Sequence, residues 1–283
     1  MNKLELETVV AQLGSLPAIP DVVIELQDIF RQETPDIEQI AHKIGQDQVI
    51  VAKVLRLANS SFYGLQCKVA SIHDAIVVLG LRTVRTLVTA AGITAHLRSN
   101  PLLDGFDQGI FWLHSVGAAF CARRLSLRID SNLESAENAF ITGLLHDIGR
   151  YALATLFPAQ YRCAIAYRDR HDCQPLDAEH EVIGIDHAQV GAALAQRWKF
   201  TPDICKAIAL HHCPDDSQKT TLTDVIHLAD IMAHALDFPS SKDDLMPLLS
   251  EKTWRRIGLD WQEFGRLLAE ADAHRHEADQ LLD

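Results

Sequence analysis

The chain has no long hydrophobic run. No stretch approaches the roughly 18 consecutive apolar residues of a membrane-spanning helix, and the opening "MNKLELETVV" carries no signal-peptide core. The expectation is a cytoplasmic protein without a membrane partner. A basic surplus is also missing: 26 Lys and Arg face 38 Asp and Glu, a formal net charge of −12, which argues against a nucleic-acid surface. Six scattered cysteines include no CxxC pair, so they are expected to be reduced, mostly packing thiols. There is no convincing alternating strand, no low-complexity tract and no internal repeat. These absences leave a globular chain whose order comes from helices.

Helical periodicity runs from end to end. "PDVVIELQDIF" is amphipathic, and "TPDIEQIAHKIG" opens a second helix with Thr34 as expected N-cap, Pro35 at the first helical position and Gly45 as stop. "DQVIVAKVLRLANSSFYG" follows. Ser71 and Asp74 make a capping-box pattern ahead of a fourth helix, and "LRTVRTLVTAAGITAHL" is a fifth. The stretch "RSNPLLDGFDQG", 98 to 109, interrupts the pattern, which predicts two lobes, 1–105 and 106–283. At least six further helical segments follow. In "DWQEFGRLLAEA", Phe264, Leu267, Leu268 and Ala271 form one stripe, for the core or for a homodimer. The fold class expected is all-α.

The anomalies are polar residues on apolar faces. Asp147 falls four residues after Gly143 and seven after Phe140, a core-facing position where an unpaired carboxylate would cost several kcal/mol. His114 shares a face with Ile110, Gly117 and Cys121. His187 lines up with Gly191 and Leu194 behind Asp186, an expected N-cap. His211 and His212 continue the stripe of Ile204 and Ile208, and Asp230 lies four after Ile226. A single such histidine is usually a hydrogen-bonded core residue. Imidazoles and carboxylates turned inward from five helices instead suggest ligands for one or two divalent transition ions (Mn, Fe, Co, Ni or Zn). If Asp147 bridges two ions, a shared water could attack a phosphate ester, with Arg150 one turn beyond His146 holding a phosphate oxygen or simply lying in solvent. Spacing alone leaves His227 and His234, on the face of Asp230, open as ligands or supports. His42, His73, His96, His171, His180, His274 and His276 read as ordinary surface or packing residues.

"GLLHDIGR" resembles the signature of the HD superfamily of metal-dependent phosphohydrolases. "LPAIPDVVIEL", "IAHKIGQDQVIVAKVLRLANSSFYG", "SIHDAIVVLGLRTVRTLV" and "IGIDHAQVGAALAQRWKFTPDICKAIALHH" resemble the HD-related output domain, HDOD, over roughly residues 15–235. The resemblance implies an HD-type helical bundle with an added N-terminal lobe, serving bacterial signalling as an output or scaffolding module with a protein partner. It also implies metal positions at His114, His146, Asp147 and Asp230, with His187, His211 and His212 added in two-metal members. The alternative it carries is a metal-dependent phosphohydrolase or phosphodiesterase for a nucleotide or other phosphate ester, with Asp147 and Arg150 as catalytic candidates. Two departures separate the chain from the cyclic-di-GMP-hydrolysing HD-GYP branch: "HHCPDDSQKT" replaces Gly-Tyr-Pro after the paired histidines, and Arg150 stands where that branch has Lys.

A third reading is DNA binding, from the helix-turn-helix cadence of "DIEQIAHKIGQDQVIVAKVLRLANS". Its would-be recognition helix carries Val49, Ile50, Val51, Val54 and Leu55, with only Lys53 and Arg56 as basic groups, so packing is the better expectation.

Overall fold

A computed structural model of the chain describes residues 3–16, 19–29, 35–98, 106–214, 221–238, 245–273, 275 and 282. Among the described residues every regular element is helical, sixteen α-helices and one short 3-10 turn at Leu13–Ser15, with no strand. The architecture is all-α, as the periodicity predicts.

Helix α1 (Leu6–Gln12) is separate from its neighbours in sequence. Leu4 donates its N–H to Ile183 O (2.6 Å), and Val9 and Leu13 are buried. By contacts, residues 1–16 therefore group with 101–269, while 17–100 group with 270–283. The sequence division at 105/106 places both terminal segments differently, because their anchoring contacts lie far away in sequence. One such contact is the buried Lys53 ammonium, which donates to Leu282 O.

The 17–100 unit contains α2 (Asp21–Ile29), α3 (Ile37–Gly45), α4 (Gln48–Ala58), α5 (Ile72–Leu79) and α6 (Leu81–Arg98). The cap of α3 is Asp36, whose carboxylate accepts from Glu38 N and Gln39 N; the expected cap Thr34 lies outside the described residues. Asp47 caps α4, and Ser71 accepts from Asp74 N at the start of α5. Ile50, Val54 and Leu57 of α4 enter this unit's core with Ile40 and Ile44, so the aliphatic face of the supposed recognition helix is a packing face. Most of the interruption at 98–109 lies outside the described residues.

The larger unit is built on α7 (Gln108–Ile129), about 33 Å long and buried along most of its length. After it come α8 (Leu133–Leu145), α9 (Ile148–Leu156), α10 (Pro158–His171), α11 (Pro175–Val182), α12 (His187–Arg197), α13 (Pro202–Leu210), α14 (Leu222–Ala235), α15 (Glu251–Ile257) and α16 (Trp261–Asp272); α8 and α14 pack against α7, and α9 packs against α12. Asp186 caps α12 through Gln189 N (2.8 Å), as expected. On α16, Leu267 and Ala271 are buried while Phe264 and Leu268 are half-buried, so the stripe is mainly a packing face. Among the described residues no helix is long and apolar enough to cross a membrane. All six cysteines are free. Only Cys121 is a buried packing thiol; Cys67, Cys163 and Cys213 are exposed, contrary to the sequence expectation, because they fall at loops or outward helix positions.

Candidate metal centre

Two close helix approaches assemble the centre. At Gly143 a Cβ would stand 2.8 Å from Ala118 O and Ala119 Cα, so α8 lies directly on α7 and brings His146 toward His114. At Gly149 a Cβ would collide with His187 O and stand 2.7 Å from Gly191 N, so α9 and α12 touch backbone to backbone beside Asp147. His146 and Asp147 occupy the break between α8 and α9, where the helix axis turns. Asp147 faces inward as the spacing suggests, but from a turn rather than from a helix.

The side chains form two linked halves. Asp147 Oδ1 lies 3.2 Å from His187 Nε2, 3.6 Å from His211 Nε2 and 3.7 Å from His146 Nε2. His212 Nε2 joins this half at 2.9 Å from His187 Nε2. Asp230 Oδ1, on α14, lies 3.1 Å from His114 Nε2, 3.2 Å from His234 Nδ1 and 3.7 Å from His146 Nε2. His146 thus stands between the two carboxylates. His114, His146, Asp147, His187, His211 and Asp230 are all buried.

The outer nitrogens are already engaged. His114 Nδ1 meets Phe238 O at 2.5 Å, His146 Nδ1 meets Gly143 O at 2.7 Å and His211 Nδ1 meets Ile208 O at 2.7 Å. A carbonyl only accepts, so each Nδ1 carries the hydrogen and, in the neutral ring, each Nε2 turns a lone pair inward. His187 Nδ1 is held by Glu179 Oε2 at 2.7 Å. The Nε2 atoms of His114 and His146 are 3.3 Å apart, a separation at which two lone pairs need a cation, proton or metal, to face each other. His211 Nε2 is buried with no hydrogen-bond partner. This orphaned donor among imidazoles and carboxylates fits a divalent transition ion. Three groups have ligand atoms close enough to hold one: Asp147 with His187, His211 and His212; His114 with Asp230 and His234; and His114 with His146 and Asp147.

The electrostatics agree. Burial opposes charge on Asp147, yet His146, His187 and Arg150 hold its carboxyl well below the usual range. Burial likewise opposes charge on Asp230, but His114, His146 and His234 keep it ionised. Against the same burial penalty, Glu179 and Asp147 raise His187 well above the ordinary imidazole value, and Asp147 and Asp230 raise His146. Burial, with neighbouring imidazoles, lowers His211 and His212.

Three positions that the sequence left open or missed are now placed. Arg150 is buried rather than solvated: it donates from Nη1 to Asp147 Oδ2 (3.0 Å) and from Nε to the Tyr161 hydroxyl (3.4 Å). His227 points away from the centre, donating from Nδ1 to His211 O (2.7 Å) while Nε2 accepts from Ser250 N (3.0 Å), so it supports the His211–His212 turn. Glu179, buried beneath His187, was not singled out: it sits among other charged residues in "DAEHEV", and its partner is eight residues away. His42, His73, His96, His171 and His180 are exposed; His274 and His276 lie outside the described residues.

Comparison with known proteins adds four findings. The HDOD domain family profile matches residues 16–214. The structure resembles that of a candidate phosphohydrolase from Shewanella amazonensis SB2B, with a TM-score of 0.77 and 29% identity, covering 97% of this chain and 98% of that one. Among curated relatives, an uncharacterized protein of Treponema pallidum (strain Nichols) is 25% identical over 201 residues, 71% of this chain and 38% of its own length. A ribonuclease Y of Geobacter metallireducens is 28% identical over 141 residues, 50% of this chain and 21% of its own. The chain thus spans well under half the length of these curated relatives.

Proposed function

This chain belongs to the HDOD domain family, and on that premise we propose that it is a bacterial signal-transduction output module built around an internal divalent-metal centre. The observation that carries this reading is the buried His211 Nε2, which has no hydrogen-bond partner and faces a carboxylate shared with His187 and His146. Asp147, His187, His211 and His212 would hold one ion, and His114, His146, Asp147 and Asp230 a second, with Asp147 between them. An ion of the Mn, Fe, Co, Ni or Zn class suits this mixed donor set. Its donors come from α7, the α8–α9 turn, α12, the end of α13 and α14, so occupancy would tie five segments together. A signalling protein that reads their arrangement is the partner this implies.

A second reading, a metal-dependent phosphohydrolase or phosphodiesterase, is favoured by one observation. A pocket of about 490 Å³ reaches His212 and is also lined by Ser250, Lys252 and Arg255. The likeness to the Shewanella candidate phosphohydrolase and to ribonuclease Y supports the same chemistry. Bound ions would acidify a water and offset charge on a phosphate ester. Arg150, engaged by Asp147 Oδ2, would hold the carboxylate so that Oδ1 faces the imidazoles.

The test is elemental analysis of protein purified without chelators or metal columns, followed by phosphodiester hydrolysis assays with each metal found. Retained ions without turnover support the output module. Turnover supports the hydrolase. Asp147→Ala is expected to abolish ion uptake while preserving helicity; unchanged metal stoichiometry in that variant refutes the shared ligand.

A further inference from the structure

We infer that Tyr161 is a positioning residue for the metal centre: through Arg150 it fixes the orientation of the Asp147 carboxylate, and Phe106, at the head of α7, seats its ring. The inference rests on the metal reading above and concerns what holds the shared carboxylate rather than which atoms bind the ion.

Asp147 divides its two oxygens. Oδ1 faces the Nε2 atoms of His187, His211 and His146 at 3.2, 3.6 and 3.7 Å, whereas Oδ2 accepts from Arg150 Nη1 at 3.0 Å. The terminal torsion of an aspartate is broad and roughly two-fold, so a carboxylate keeps one oxygen inward only when the other is held. A guanidinium fastened at one nitrogen can still swing; a second fastening fixes its plane. Tyr161 supplies one, its hydroxyl accepting from Arg150 Nε at 3.4 Å. Asp147 and Arg150 both belong to the start of α9, whereas Tyr161 stands on α10, so the contact ties that pair to a separate helix. Burial raises the pKa of the Tyr161 hydroxyl, with Arg150 opposing and Glu179 adding to the rise, so it stays neutral at physiological pH. It therefore lies in the field of both supports, Arg150 behind Asp147 and Glu179 behind His187.

The ring of Tyr161 is seated by Phe106, a half-buried residue directly before the α7 cap Asp107. The two rings meet at 67° with centroids 5.9 Å apart. Phe106 also packs on Phe111 of α7 and Tyr151 of α9, at 5.1 and 6.4 Å, so one side chain spans three helices. A phenyl ring offers an ion no ligand. Any effect of Phe106 on ion binding must therefore reach the centre through the groups it packs.

The experiment titrates Mn(II) into the metal-free full chain against a chelating dye. It uses wild type, Tyr161→Phe, Arg150→Lys, Phe106→Ala and the two double variants that contain Tyr161→Phe, each checked for helicity. The Arg150 Nε–H signal of the metal-free chain is followed by nitrogen-15 NMR. Tyr161→Phe removes one oxygen and keeps the ring, so it is expected to shift that signal and to weaken binding about three- to tenfold, less than loss of a ligand's own support. Arg150→Lys weakens binding at least as much, because an ammonium cannot span both oxygens. If Tyr161 acts through Arg150, and Phe106 through Tyr161, neither double variant binds more weakly than its more damaging single member. A residue that only packs would lower stability and leave affinity and coupling untouched. Wild-type affinity in Tyr161→Phe or in Phe106→Ala overturns the inference, and so do losses that simply add. If wild-type protein takes up no ion, the metal reading itself fails and this inference with it.

Discussion

Glu179 and the backbone carbonyls of Gly143, Ile208 and Phe238 do for the centre what ligands alone cannot: they fix which nitrogen of each histidine faces inward. The carbonyls cannot be removed by substitution, but Glu179 can. Glu179→Gln keeps an oxygen acceptor near His187 Nδ1 while removing the charge, so ion affinity is expected to fall roughly 10–100-fold with helicity preserved. Competition with a chelating dye measures it; undiminished affinity would remove Glu179 from its supporting role. Burial has a different consequence at Cys121, where it pushes the thiol up to about 12. Native protein treated with an alkylating reagent near pH 8 is expected to label the exposed Cys67, Cys163 and Cys213 and to spare Cys121 until denaturant is added, a contrast that mass spectrometry resolves. At this scale, the inward-facing set from His114 to Asp230 was legible because each member interrupts an apolar stripe. Glu179 was not, because a carboxylate between charged neighbours gives no such contrast, and carbonyl acceptors leave no trace in side-chain identity.

At the scale of elements, the spacing of His146 and Asp147 reads as helix, whereas they form the turn between α8 and α9. The apolar pattern continues through the break because both flanking helices bury the same side, so periodicity alone cannot register the change of axis. What permits the turn is the contact at Gly149, whose added methyl would collide with His187 O and Gly191 N. Gly149→Ala is expected to destabilise the fold by about 1–3 kcal/mol, seen as a lower urea midpoint, and to weaken ion binding by separating Asp147 from His187. The capping of α14, which carries Asp230, is a second such device. Asp224 accepts from Thr221 N and Thr253 Oγ1 and pairs with Arg256, and despite burial these partners lower its pKa. A carboxyl depressed in the folded state contributes stability above its unfolded value near 3.9 and loses it as pH falls through the lower folded value. Asp224→Asn should therefore destabilise the protein at neutral pH and flatten the loss of stability below about pH 4 relative to wild type, in urea unfolding across that range. An acid limb of unchanged slope would count against the linkage.

Across the whole molecule, every proposed donor lies within residues 101–269, yet the donors are spread from His114 to Asp230. An ion that binds them only in the folded chain must stabilise that fold by mass action. At a free concentration 100 times the dissociation constant the gain is about 2.7 kcal/mol per site, which for a unit of this size raises the Tm by roughly 5–10 °C. Metal-free protein is thus expected to melt at a Tm that climbs with added Mn(II) and returns on adding a chelator. Asp147→Ala should show no climb. The ion would supply positive charge between the two carboxylates, so its effect should be local as well as global. Amide exchange should slow in α7, α8, α12, α13 and α14, the helices whose ends or faces carry the donors, while α3 and α4, which offer none, stay as they were. A Tm rise with uniform protection would indicate binding elsewhere. A rise with protection confined to those five helices would tie the stabilisation to the buried histidines and aspartates.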